Sequence, residues 1–212
     1  MEYSGFLGVI SRIVVFIVQL AYLNLLWILF SLLGLVFLGF APATLAMCSV
    51  TRQWIKGDVD LPIFHTFWSS FRTEFIKSNI VFYILLLLGG MLYIYAHLIQ
   101  TLSGLPYYLV STIFVTGLVP YIILLLYIFP VMANYEKKVA GYLKYAILMG
   151  IASPLLTLLL GATIALLCII FIIIPVTVPL FSGSLLSMAA MSLAMKTFRR
   201  VETKGKEIGS PG

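Results

Sequence analysis

The side chains best suited to acid–base, nucleophilic or metal chemistry in this 212-residue chain are seven carboxylates, two histidines and two cysteines. The carboxylates are Glu2, Asp58, Asp60, Glu74, Glu136, Glu202 and Glu207, and each falls in a connector or near a terminus. None lies inside an apolar run, where an ionisable group costs roughly 2.5–3.5 kcal/mol on insertion scales and marks a proton or ion path. That argues against an ordinary proton-coupled carrier. It leaves room for one built on backbone carbonyls or on the hydroxyls of Thr44, Thr112, Thr116 and Thr163. His65 and His97 sit in different elements, whereas a metal site needs convergent ligands. Cys48 and Cys168 stand in apolar runs without a partner motif and read as small hydrophobes. No H-E-x-x-H, G-x-S-x-G, P-loop or C-x-x-C is present. Serines within the apolar runs have no His and Asp at matching depth for a triad. The expectation is a protein that is not an enzyme and carries no cofactor and no metal.

Recognition chemistry is better represented. Residues 39 to 77 hold four of the thirteen basic residues and three of the seven acidic ones. In this stretch Phe64, Phe67, Trp68, Phe71 and Phe75 recur at helical spacing, with His65, Thr66, Ser69, Ser70, Arg72, Thr73 and Glu74 between them. Such a stripe suits a helix that docks on a partner or lies in the membrane interface. Upstream, Gly39, Pro42 and Thr44 read as a structural turn, and Pro42 favours a helix start or kink. Arg52, Trp54 and Lys56 read as a cytoplasmic anchor with an aromatic at the headgroups. Asn24, Thr44 and Asn134 are polar residues in or beside apolar runs. They either line a small internal site or bond helix to helix, the commoner use.

The elements that position these residues follow from hydropathy. With 62% hydrophobic and 9% charged residues, too few charges are available to cover a water-soluble globule. The net charge of +6 does not point to nucleic acid, because the cations cluster in short segments between apolar runs. The N-terminus lacks the layout of a cleavable signal. Residues 13 to 51 contain no charge, and as one helix they would measure about 58 Å, twice the hydrocarbon thickness of about 30 Å. A hairpin is required, with Gly34, Gly39 and Pro42 at its bend.

The sequence therefore predicts an all-α, polytopic membrane bundle of about six spans: 10–32, 42–56, 79–99, 107–133, 153–174 and 180–197. An amphipathic helix over 62–77 joins the second span to the third, and a shorter echo follows Glu136, with Val139, Tyr142, Leu143 and Ala146 on one face. In both halves a proline-bearing span leads through an amphipathic connector and back. Residues 201–212 form a polar tail expected to fray. Six crossings place Arg12, both basic connectors and the tail on the cytoplasmic side, so that both termini are cytoplasmic and the outer turns hold no Lys or Arg. The lipid bilayer is the one assured partner, and nothing in the sequence sets an oligomeric state.

Several stretches carry a family pattern. They are L-N-L-L-W at Leu23–Trp27, G-x-x-P-A-T-x-A-M at Gly39–Met47, V-T-R-Q-W-I-K-G-D from Val50, P-x-F-x-T-F-W-x-S-F at Pro62–Phe71, and F-I-K-S-N at Phe75–Asn79. Together they resemble the YesL-like family of bacterial membrane proteins, a domain of unknown function. Where the family pattern has Gly directly before Pro-Ala-Thr, this chain has Ala41, with the glycine at Gly39. The resemblance is concentrated in the first 80 residues, and the second half matches in hydropathy. It implies a multi-pass protein of the bacterial cell membrane, encoded near carbohydrate ABC importers and glycan-degrading enzymes. That association implies an accessory to oligosaccharide import with importer subunits as partners. The chain lacks the E-A-A-type loop of a permease. The alternatives are a stand-alone small-solute transporter or channel and a membrane regulatory or assembly factor.

Overall fold

A computed structural model describes residues 6–209 of the chain, with side chains described for 9–203. The described residues are helical with no strand: α1 (Phe6–Leu33), α2 (Phe40–Lys56), α3 (Ile63–Thr73), α4 (Phe75–Ile99), α5 (Leu105–Asn134), α6 (Val139–Ala152), α7 (Pro154–Ile173) and α8 (Val178–Gly209), the last preceded by a 3-10 turn at Pro175–Thr177. Five stretches are long and apolar enough to cross a bilayer: Val9–Leu33, Phe75–Ile99, Leu105–Asn134, Pro154–Ile173 and Pro175–Thr203. The protein is an all-α multi-pass membrane bundle. The remaining expected span, α2, has 17 residues and is about 25 Å long, shorter than the hydrocarbon layer of about 30 Å.

The first two helices form the expected hairpin. Phe16 meets Trp54 with ring centroids 5.6 Å apart, and the Trp27 indole N–H donates to Thr44 Oγ1 at 3.0 Å. These pairs fix α2 as running back along α1. The bend is tight: a Cβ on Gly34 would collide with the Gly39 backbone. Leu35 and Val36 take left-handed φ values of 53° and 64°. A β-branched residue rarely adopts that conformation, and it is held by Val36 N–H donating to Ser31 O at 2.8 Å and Phe40 N–H donating to Val36 O at 3.0 Å.

Short α2 is the centre of the bundle. It packs on α1, α3, α4, α5 and α8, and ten of its residues are buried. Ala41, Ala43, Ala46 and Cys48 keep it narrow, so neighbouring axes approach closely. One core lies between α1, α2 and α3, around Leu23, Phe30, Met47, Val50 and Phe67. The other joins α2 to α4–α8 through Leu45, Cys48, Tyr127, Ile128, Tyr142 and Met191.

Several bounds differ from the sequence reading. The connector helix stops at Thr73, and α4 starts at Phe75, four residues before the expected span; the break falls on Glu74, whose backbone (φ −101°, ψ 10°) leaves the helical region. The second connector ends at Ser153, which is forced out of the helical region by Pro154. Both halves thus share one plan: a helix, a shorter one packed back along it, a break, then a long apolar helix. The C-terminal segment is helical to Gly209 instead of fraying from 201. Tyr135 holds it there, donating its hydroxyl to Glu202 Oε1 at 2.8 Å and packing its ring on Phe198 at 5.3 Å. Residues 210–212 of the expected tail lie outside the described residues.

Candidate functional site

The α2–α3 hairpin gathers most of the residues that the sequence singles out. Gly57 adopts φ 103° and closes α2, with its N–H donating to Trp54 O at 3.0 Å and Asp58 N–H donating to Gln53 O at 3.1 Å. The chain turns through buried Leu61 and exposed Pro62 into α3, which packs along α2 with Ser49 and Ser70 hydroxyls 2.8 Å apart.

The aromatic stripe of α3 faces two ways. Phe30 of α1 supplies a ring that meets Phe67 at 5.3 Å, Trp68 at 5.5 Å and Phe71 at 5.0 Å. Phe67 is fully buried and Phe71 nearly so, while Phe75 is half-buried and edge-on to Phe71 at 5.6 Å. Phe64 (51% exposed) and Trp68 (41%) remain as the outward part of the stripe. Sequence reasoning missed Phe30 as their common partner. Its signal was available: Trp27 and Phe30 are the bulky aromatics of an otherwise aliphatic turn.

The turn-and-anchor set divides as well. Gly39 sits in the tight bend and Pro42 is buried in the first turn of α2. Thr44 donates to Phe40 O at 2.7 Å while accepting from Trp27. Trp54 is 5% exposed and packs inside on Phe16, so it is not the headgroup aromatic expected. An interior position opposite α1 outcompetes the interface for so large an apolar surface. Arg52 is half-buried and Lys56 is exposed.

Deeper in, α8 is bound to α1 and α2 through polar atoms. The fully buried Asn24 donates its amide to Pro179 O at 2.8 Å and accepts from Gly183 N–H at 2.9 Å and Ser184 N–H at 3.2 Å. One carboxamide thus grips both ends of the first turn of α8. Gly183 permits it, since a Cβ there would come within 3.1 Å of both Asn24 Oδ1 and the Trp27 ring. Thr51 and Ser187 hydroxyls lie 3.0 Å apart, and Ser187 donates to Cys48 Sγ at 3.4 Å. Beside this seam is a mostly apolar cavity of about 280 Å³ bounded by Thr44, Met47, Cys48, Phe129, Gly183 and Ser187.

A second space, of about 440 Å³, is polar and lies between α2 and α3, lined by Ser49, Arg52, Gln53, His65, Thr66, Ser70 and Glu74, and by Glu136 from the α5–α6 connector. Glu74 pairs through Oε1 with Lys77 at 3.3 Å, the one ion pair found among the described residues. Its Oε2 is buried without a partner, and so is Nε of Arg52. Next to Glu136, burial and the Glu202 carboxylate push the Tyr135 phenol well above its ordinary pKa, so it stays a hydrogen-bond donor.

His97 bonds Tyr93 at 3.2 Å on α4, far in sequence from His65, and Cys48 and Cys168 are free thiols. Among the described residues no three His, Cys, Asp or Glu groups converge for a metal. What the arrangement offers is recognition: outward aromatics on one face of α3 and unpaired polar groups on the other.

Residues 20–95 match the model of the family described as "Protein of unknown function, DUF624". These are the second half of α1, the α2–α3 hairpin and most of α4. Three curated proteins of Bacillus subtilis (strain 168) are similar over nearly the whole chain. YteU, an uncharacterized protein, is 35% identical over 98% of this chain and 93% of its own length. YesL, also uncharacterized, is 34% identical over 89% of this chain and 88% of its own. YesV, uncharacterized as well, is 34% identical over 91% of this chain and 93% of its own. No solved structure matches. On the strength of these near-full-length relatives, the chain belongs to the YesL-like family of membrane proteins, DUF624.

Proposed function

We propose that this protein is a non-catalytic accessory to carbohydrate import in the bacterial cell membrane, and that it engages importer subunits through the outer face of the α2–α3 hairpin. The observation that carries the reading is the exposure of Phe64 and Trp68 on a helix whose other aromatics are anchored inside. That anchoring holds the pair rigidly, as an interface anchor requires. The sugar connection comes from the family resemblance. Both termini and both connectors are cytoplasmic in this reading, because six crossings collect the Lys and Arg clusters on one side. The experiment is co-purification from native membranes of the tagged protein and its Phe64→Ala/Trp68→Ala variant. The reading expects importer subunits with the parent and their loss with the variant. Retention of every partner by the variant would remove docking through this face.

A second reading, a small-solute transporter, draws support from the Asn24 grip on the first turn of α8 beside the 280 Å³ cavity, since transporters build sites where helix backbone is opened. Uptake of labelled oligosaccharide into liposomes containing this protein alone would favour it, and flux equal to that of empty liposomes would discard it.

A further inference from the structure

We propose that the polar cleft between α2 and α3 holds the headgroup of a zwitterionic phospholipid, a phosphate joined by a two-carbon bridge to a primary ammonium. The 2.8 Å Ser49–Ser70 contact fixes the register of the two helices. Arg52 lies three residues from that contact toward one end and Glu74 four residues toward the other, about 10 Å apart along the axes at 1.5 Å per residue. Arg52 can therefore take a phosphate at one end of the cleft, while the carboxylates, Glu136 above all, are left to accept from an ammonium. Arg52 supplies the planar fork that suits phosphate, and the Glu74–Lys77 ion pair leaves it without a carboxylate partner. Glu136 lines the same cleft and is the acceptor that Lys77 does not fully claim; Lys77 bonds Glu74 and feels Glu136 only through its charge. Arg52 then balances Glu136 while Lys77 balances Glu74, so the cleft as a whole favours a ligand carrying one charge of each sign. A quaternary ammonium cannot donate to these carboxylates, and a headgroup without an amine leaves them unmatched.

The surroundings point to the bilayer as the source. The cleft lies where charged residues gather at the ends of apolar helices, the level of lipid headgroups. Exposed Ile76 and Ile80, on α4 just beyond Glu74, offer an apolar track for acyl chains. The proposal does not depend on the import reading.

The test is native mass spectrometry of the full chain in an equimolar mixture of phosphatidylethanolamine, phosphatidylcholine and phosphatidylglycerol. Phosphatidylethanolamine is expected to be retained about tenfold over the other two, a difference of about 1.4 kcal/mol. Glu136→Gln should bring the ratio close to one, and Arg52→Gln, which removes the phosphate contact common to all three lipids, should lower the retention of each. Thr66→Tyr, which fills the cleft from α3, should abolish the retention and replaces Arg52→Gln should that variant fail to fold. Equal retention of the three lipids by the parent, enrichment unchanged by Glu136→Gln, or retention unchanged by Arg52→Gln and Thr66→Tyr overturns the proposal. Soluble phosphoethanolamine should leave the retained lipid in place, whereas full displacement would overturn a bilayer source in favour of a soluble phosphoamine.

Discussion

Replacing Asn24 with leucine should loosen the N-terminal turn of α8. The wild-type carboxamide makes three hydrogen bonds, to Pro179 O, Gly183 N–H and Ser184 N–H, at 2.8, 2.9 and 3.2 Å. Interhelical hydrogen bonds inside membranes average about 0.6 kcal/mol each, so three sum to about 2 kcal/mol when the backbone finds other partners. A buried backbone group left bare costs about 1–3 kcal/mol, so stranding Gly183 N–H or Pro179 O would raise the loss to about 4 kcal/mol. Leucine keeps the γ-branched outline of asparagine and leaves no cavity, and the strain from its bulkier methyls acts in the same direction as the lost bonds. The assay is reversible unfolding of purified protein in mixed micelles, with Thr163→Val as a control, because that exposed hydroxyl bonds only its own helix at Leu159 O. A loss of about 2–4 kcal/mol for Asn24→Leu beside a near-neutral control is expected. A loss within about 0.5 kcal/mol of the control would refute the idea that this side chain fastens α8 to α1.

Other expectations rest on separate parts of the bundle. Phe30→Ala removes the ring shared by Phe67, Trp68 and Phe71, should cost about 3–5 kcal/mol, and should make the 57–62 turn sensitive to protease in limited digestion. Gly183→Ala brings a methyl within 2.9 Å of Met47 Cε and 3.1 Å of Asn24 Oδ1, and should lower the melting temperature measured by intrinsic fluorescence. Thr51→Val and Ser187→Ala should show a coupling of about 0.6 kcal/mol in a double-mutant cycle, the mean for bonded pairs in a membrane. Tyr135 has its pKa raised in the folded protein, so its contribution is complete below the unfolded value of about 10 and is lost as pH climbs above it. Tyr135→Phe should therefore flatten the alkaline limb of stability above pH 10, as read by unfolding at stepped pH.

The bundle was legible because its cause is one-dimensional: long charge-free runs must cross lipid as helices, and a 39-residue run must fold back. Gly34 and Gly39 marked that bend correctly, since only residues without side chains pass so close. Helix ends were harder to read. Glu74 carries no local breaker, and the α3–α4 break there reflects how α3 meets α1 and α2, which periodicity does not encode. The aromatic stripe was visible as a pattern, but its division into buried Phe67 and Phe71 and exposed Phe64 and Trp68 depended on Phe30, more than thirty residues upstream. Trp54 was assigned to the interface by its basic neighbours, whereas contact with Phe16 draws it inside. The polar cleft could not be foreseen, because Glu136 reaches it from a distant connector.

The most direct trial of this account is a disulfide between α2 and α3. In a background with Cys48→Ala and Cys168→Ser, cysteines at Ser49 and Ser70 replace hydroxyls that lie 2.8 Å apart. Mild oxidation in native membranes should form the bond within one chain, seen as a reducible shift in mobility without dimer. Failure to cross-link, or cross-linking only between chains, would contradict a bundle in which α3 is packed along the short central helix.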